Sequence, residues 1–412
     1  MIFPNPRSRA LAGASFLLLV SAHAPALEDA PGFTVAEIVA PELKQSPHHS
    51  VEQVEVDGRF LRYRIDTEFG AYNAGSTPLL RIRVEETAIL SQAVNQFARQ
   101  DSDIGEELRG QLSVSADSAI DILARPVSTA TDLAGQLADN LNETLTGSRN
   151  VTPEPGTGAP DIGDSSDPVI GVHRRNVAAQ WGLDVYSSNP RVQEFLNTVA
   201  RARSAGRISA GAPSFINTGL KRIAMADPEI DAMAAGELKT LAAQDLAVAD
   251  AAILASLQIG VELINRFLSQ PAFTPRHRSR ITHYLQALDG VLNRSAFLEA
   301  ALVAENENTA LAFEQAAMML HYYHRRIGRL EKLYAGENVL QAISADGKVI
   351  HVFPVDVIYW SEHTQELFDA LEKRAARAGF SAWEVVTAGA ITPHARAELG
   401  QRGFALREIK NQ

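Results

Sequence analysis

His321-Tyr322-Tyr323-His324-Arg325-Arg326 comes closest to a chemical constellation in this 412-residue chain. Histidines at i and i+3 of a helix share a face, about 4.5 Å apart along the axis, so both could ligate one metal ion. Glu314 lies one heptad earlier, a rise of about 10.5 Å, too far to join them readily. A third ligand would come from elsewhere, with His277 or His283 the candidates by residue type. No HExxH or Glu-x-x-His signature accompanies the pair. His324 also stands beside the packing stripe that includes Leu320 and Ile327, so the plainer reading is a half-buried histidine bonded to a neighbour.

Asp161, Asp164 and Asp167 suggest calcium, but they are spaced by three and no glycine follows in the order an EF-hand loop requires. An acidic linker explains them equally well. Asp227 and Glu229 flank Pro228 and read as helix-start residues. The chain has no G-x-S-x-G elbow, no S-x-x-K and no Walker A loop. Gly156-Thr157-Gly158 runs into Pro160 without a third glycine, so it is not a dinucleotide fingerprint. No catalytic residue is assigned and no cofactor is implied.

The elements that would position such groups follow from patterning. Arg7 and Arg9 precede an apolar run from Ala10 to Val20, and Ala24-Pro25-Ala26 supplies a small-x-small cleavage site. This is the pattern of a signal peptide cut at about Ala26, so a periplasmic or secreted location is expected. There is no cysteine. Disulfides, thiolate nucleophiles and a lipid-modified cysteine are therefore excluded. Leu246 to Leu268 is interrupted by Asp250, Glu262 and Arg266 and reads as a buried helix rather than a membrane span. Residues 27–170 carry 24 acidic and 10 basic side chains, whereas residues 171–412 carry 25 and 26. The acidic half argues against nucleic acid as a partner. Basic clusters at His173-Arg174-Arg175, at Arg201 with Arg203 and Arg207, at Arg276-His277-Arg278 with Arg280, and at Arg325-Arg326 with Arg329 read as solvated faces or as docking against that half. A sharper reading is binding of an anionic envelope component.

The expected fold class is α+β, predominantly helical: a small N-terminal antiparallel unit, then a helical domain with a C-terminal hairpin. Residues 27–50 are Pro-punctuated and predict little order. Val54 and Val56 lead through Asp57-Gly58 into Leu61, Tyr63 and Ile65, a hairpin with Asp57 and Gly58 at its centre. Leu80, Ile82 and Val84 alternate with arginines as a third strand, leading into a helix near Glu85 and completing a unit over residues 51–149. Leu133, Leu137, Leu141 and Leu145 form a helical stripe. Residues 150–168 are rich in Pro, Gly and Asp and read as a linker. From residue 169 onward helices dominate, the last before the hairpin carrying Phe313, Ala317, Leu320, Ile327 and Tyr334 on one face. A hairpin from Val339 to Phe353 turns at Asp346-Gly347, followed by a helix from His363 to Ala378. A second helix is capped by Thr392-Pro393, and Phe404 to Ile409 forms a strand.

Ala124-Arg125-Pro126-Val127-Ser128-Thr129, the leucine stripe, and Gly182-Leu183-Asp184-Val185-Tyr186-Ser187-Ser188-Asn189-Pro190 followed by Leu196, Val199-Ala200 and Gly206 resemble uncharacterised exported proteins of Gram-negative bacteria. The resemblance spans about residues 119–211. It implies an exported location and carries no catalytic residue across. On physical grounds Ser187 to Pro190 reads as a helix start.

The leading expectation is a non-catalytic binding or scaffolding protein of the cell envelope, with a protein or envelope component as partner. Two alternatives are an exported metal-dependent hydrolase using His321 and His324, and a secreted membrane-active antagonist acting through the segment near Ala247 to Leu268.

Overall fold

The computed structural model describes residues 27–100, 102–122, 168–208, 216, 218–335 and 340–409. Residues 1–26, the leucine stripe, Ala124 to Thr129, and residues 150–167 with their three aspartates lie outside the described residues.

The chain is mixed α and β, mostly helical, with an antiparallel N-terminal sheet. Residues 27–50, where the sequence predicts little order, hold two helical turns, α1 (Val35–Ile38) and α2 (Pro41–Lys44), with Val39 and Leu43 buried. Strands β1 (Gln45–Ser46), β2 (His49–Asp57), β3 (Phe60–Thr67) and β4 (Tyr72–Ala74) pair in that order. Alternation works as expected along β3: Leu61, Tyr63 and Ile65 are buried, whereas Arg62 and Arg64 face outward. The turn is displaced by one residue. Asp57 pairs with Phe60, so Gly58 and Arg59 are central, and the positive φ (61°) falls at Gly58 alone, the II′ pattern.

Leu80, Ile82 and Val84 are not a strand. They belong to α3 (Thr77–Gln100). Leu80, Val84 and Ala88 recur every fourth residue on its buried side, and this helical period prevails over the three-residue alternation. The helix α4 (Ser102–Ile122) follows. Both pack against α5 (Pro168–Trp181) and α6 (Pro190–Ser204), with Phe97, Trp181 and Phe195 in mutual ring contact at 5.9–6.3 Å. One core therefore draws on residues from both sides of the Pro/Gly/Asp-rich segment.

A helical layer continues through α7 (Pro228–Thr240), α8 (Ala243–Ser256), α9 (Val261–Ser269), α10 (Pro275–Gln286), α11 (Ser295–Ala301) and α12 (Glu307–Arg326). The apolar run from Leu246 to Leu268 is two helices rather than one. The chain breaks at Gln258, which has φ 63°, and leaves Val248 and Val261 exposed. Among the described residues no helix is long and apolar enough to cross a membrane. The stripe through Tyr334 is also interrupted. The helix α12 stops at Arg326, Gly328 follows, and Tyr334 lies in β5 (Leu330–Ala335).

The C-terminal hairpin is the middle of a larger sheet. Strands β6 (Leu340–Ser344) and β7 (Val349–Phe353) turn through Gly347, which has φ 80°, as expected. Two parallel strands, β9 (Trp383–Thr387) and β11 (Phe404–Glu408), extend that hairpin into the order β11-β9-β7-β6-β5. Helices α13 (Glu362–Arg377) and α14 (Pro393–Gln401) make the crossovers that parallel pairing requires. Thr392 caps α14 by accepting the Ala395 N–H, as its sequence predicts. Beyond the sheet the exit segments stay paired, as β8 (Val357–Ile358) and β10 (Ala390–Ile391).

Candidate functional site: a charged, apolar-walled cleft

Asp356 stands where β7 gives way to β8, and it binds three units together. Its Oδ2 accepts the N–H groups of Leu61 and Thr77, each at 3.0 Å. Its carbonyl accepts Ala390 N–H at 2.9 Å, and its own N–H donates to Arg59 O at 3.0 Å. Burial raises this carboxyl to about 6 despite the two backbone donors. Gly389 has no alternative here, because a Cβ would overlap the backbone of Val355 and Asp356.

These strand exits form one wall of a cleft of about 780 Å³. Ligand sites of α/β sheets lie at the carboxyl ends of parallel strands, and the volume lies within the range that holds small organic molecules. The opposite walls are helix stripes read at helical spacing. The start of α3 contributes Leu80, Arg81 and Glu85, α10 contributes Arg276 and Arg280, and α12 contributes Leu311, Glu314 and Met318. Leu220, Ile223 and Met225, from the irregular segment before α7, line it as well. The walls therefore mix apolar side chains with eleven charged ones, among them Lys221, Arg222, Arg396 and Glu408.

Those charges are ordered by pairing. Arg280 places NH2 at 2.9 Å from Asp231 Oδ1 and Nε at 3.0 Å from Glu314 Oε1. Arg276 NH1 lies 3.6 Å from Glu314 Oε2, and its Nε lies 3.9 Å from Asp184 Oδ2. Burial alone would raise the Glu314 carboxyl, but Arg276 and Arg280 outweigh it and hold it below its usual value. The Arg276–Arg280 cluster thus faces inward, toward carboxylates, rather than forming a solvated face.

Arg276, Glu85 and Ile82 also border a second, inner chamber of about 90 Å³. Its walls include Asp184, Ser187, Ser188, His277 and Glu307. Here the segment Ser187 to Asn189 has a specific task. Ser187 Oγ donates to Glu86 Oε1, and Asn189 Nδ2 donates to Glu86 Oε2 at 2.8 Å. Ser188 Oγ donates to Glu307 Oε1 at 2.6 Å, and Arg83 bridges Glu86 and Glu307 at 3.0 Å to each. Asn189 also caps α6 by accepting the Arg191 N–H, which agrees with the sequence-based helix start.

The four histidines of the sequence analysis take separate partners. His324 Nδ1 accepts the Leu330 N–H at 3.0 Å, and its Nε2 stands 3.0 Å from Arg329 NH1. His321 lies edge-on to Tyr284, with Nε2 3.8 Å from Asp227 Oδ2. His283 Nε2 is 2.9 Å from Glu237. His277, in the first turn of α10, has Nε2 3.8 Å from Glu314 and is lowered by burial to about 4, so it is neutral at pH 7. Among the described residues no group of three or more His, Asp or Glu side chains is arranged to hold a metal ion. Asp227 accepts the Glu229 N–H at the start of α7, as read from the sequence.

Arg83 was hidden from sequence reasoning by the strand assignment over Leu80 to Val84, and with it the i, i+3 pair Arg83–Glu86, which is meaningful only on a helix. No family model, curated protein or solved structure matches the chain.

Proposed function

We propose that this is a non-catalytic binding protein of the cell envelope, periplasmic or secreted after cleavage at about Ala26, and that the cleft between α3, α10, α12 and the strand exits is its binding site. The observation that carries this reading is the cleft itself: about 780 Å³, lined by apolar and charged side chains, at the carboxyl ends of parallel strands, with Arg280 and Glu314 held by neighbours. Arg280 and Glu314 are each engaged by protein partners, an arrangement suited to orienting a ligand rather than to transferring protons. The leader and the resemblance to exported proteins support the location.

The test is retention of a small molecule. The mature protein is purified from periplasm and analysed by native mass spectrometry beside an Ile223→Trp variant, whose indole fills the cleft. The expected result is a molecule carried by the first and absent from the second, and unchanged after prolonged incubation. Equal retention by both variants, or steady conversion of the molecule to product, would overturn the reading.

A further inference from the structure

The inner chamber and the outer cleft differ in charge, and the difference selects a ligand. Glu85, Glu86, Asp184 and Glu307 border the inner chamber, while the cations at their side are Arg83 and Arg276. His277 adds no charge at neutral pH. Four carboxylates and one guanidinium, Arg276, line the chamber; Arg83 lies behind Glu86 and Glu307, and Arg81 and Arg280 approach Glu85 from the cleft, where Arg280 is already shared by Asp231 and Glu314. Glu85 is exposed into this space, whereas Glu86 is sealed by Ser187 and Asn189. The surplus is negative, so a carboxylate or phosphate would be repelled here. The carboxylates are also held apart by serine and arginine side chains, and no trio converges as a metal ion requires. A small cation with several divergent N–H donors fits such a field.

We propose that the inner chamber is a binding site for a primary ammonium group, held between Glu85 and Asp184, on a ligand whose apolar portion lies along Ile82, Leu80 and Ile223 in the outer cleft. This inference rests on the binding role assigned to the cleft and names its ligand class. Chamber volume sets the scale: about 90 Å³ takes the ammonium and its first carbons, and the remainder of the chain must extend outward. Burial raises the Asp184 carboxyl to about 6 and Arg276 offsets this only in part, so further positive charge beside it would stabilise the carboxylate. An ammonium supplies that charge.

The experiment is isothermal titration of the mature protein with n-octylamine, n-octanol and n-octanoate, three probes sharing a chain and differing in head group. Octylamine is expected to bind one per chain, at least about tenfold more tightly than octanol, with octanoate weaker still. Glu85→Gln should remove most of the preference for the amine, read as the ratio of octylamine to octanol affinity, and its unfolding curve checks its fold. The comparison of three probes on the unaltered protein needs no variant. Equal or tighter binding of octanoate or octanol overturns the ammonium site while leaving the cleft as a binding site. Binding of none of the three also overturns it, and the retained-molecule measurement above then decides separately on the cleft.

Discussion

The side-chain amide of Asn189 lies 2.8 Å from Oε2 of Glu86 and joins the first turn of α6 to the middle of α3, 103 residues earlier in the chain. The same asparagine accepts the Arg191 N–H as helix cap, so one side chain serves both a local and a long-range purpose. A cap alone contributes about 1 kcal/mol. Asn189→Ala also strips a donor from a buried carboxylate, so its expected cost is about 2–4 kcal/mol. Ser361→Ala, which removes the cap of α13, is the control and should cost about 1 kcal/mol. Urea unfolding of both variants is the measurement, and equal losses would refute the dual role.

Arg83 is the charge on which that network depends. It lies 3.0 Å from both Glu86 and Glu307, and these carboxylates raise its pKa further although burial opposes its charge. Arg83→Met leaves buried Glu86 and partly buried Glu307 without their cation, and removing one member of a buried ionic group costs about 3–5 kcal/mol. A loss below about 1 kcal/mol would place the carboxylates in solvent contact instead.

Two glycines provide a steric pair. A Cβ at Gly389 would overlap the Val355–Asp356 backbone, which cannot swing aside, whereas a Cβ at Gly400 on α14 meets open space. Gly389→Ala should therefore destabilise by at least about 1–3 kcal/mol, and Gly400→Ala should be neutral or stabilising by up to about 1 kcal/mol. Differential thermal unfolding separates them. Equal tolerance would mean that β8 and β10 are not held together at Asp356.

Acid sensitivity has an identifiable source in His351, on the central strand β7, packed against Phe404. Burial, with a smaller contribution from Arg374, lowers its pKa to about 3. The folded pKa lies below the unfolded value of about 6.5, so the neutral ring's contribution is full above pH 6.5 and is lost as pH falls toward 3. One such proton gives a slope of up to about 1.4 kcal/mol per pH unit within that window. Asp184 and Asp356, both raised by burial to about 6, act in the opposite sense: their contribution is present below about pH 4 and lost as pH rises through 6. His351→Leu isolates the histidine. Its stability relative to the unaltered protein should increase steadily from pH 6.5 to 3.5, and parallel profiles would contradict the assignment.

Local signals in this sequence were legible wherever a short stretch determined its own structure. Asp346-Gly347, Thr392-Pro393 and Asn189-Pro190 each mark the turn or helix start they predict, because turn and cap chemistry depends on immediate neighbours. The signal failed where two periods overlap. Leu80, Ile82 and Val84 alternate as a strand would, yet Leu80, Val84 and Ala88 form the helical stripe that packs. That single error concealed Arg83 and its pairing with Glu86. The strand Trp383 to Thr387 also went unread, because a fully buried parallel strand lacks alternation. The cleft could not be read in advance at all. Its walls come from residues 38 to 408, and sequence spacing carries no information about such convergence.

Hydrogen exchange of the mature protein, with and without the low-molecular-mass fraction of an envelope extract, tests the central claim most directly. If the cleft is the binding site, slowed exchange should be confined to residues 218–226, the first turns of α3 and residues 388–391, and should vanish in Ile223→Trp. Protection confined to α8 and α9, or no protection anywhere, would contradict it.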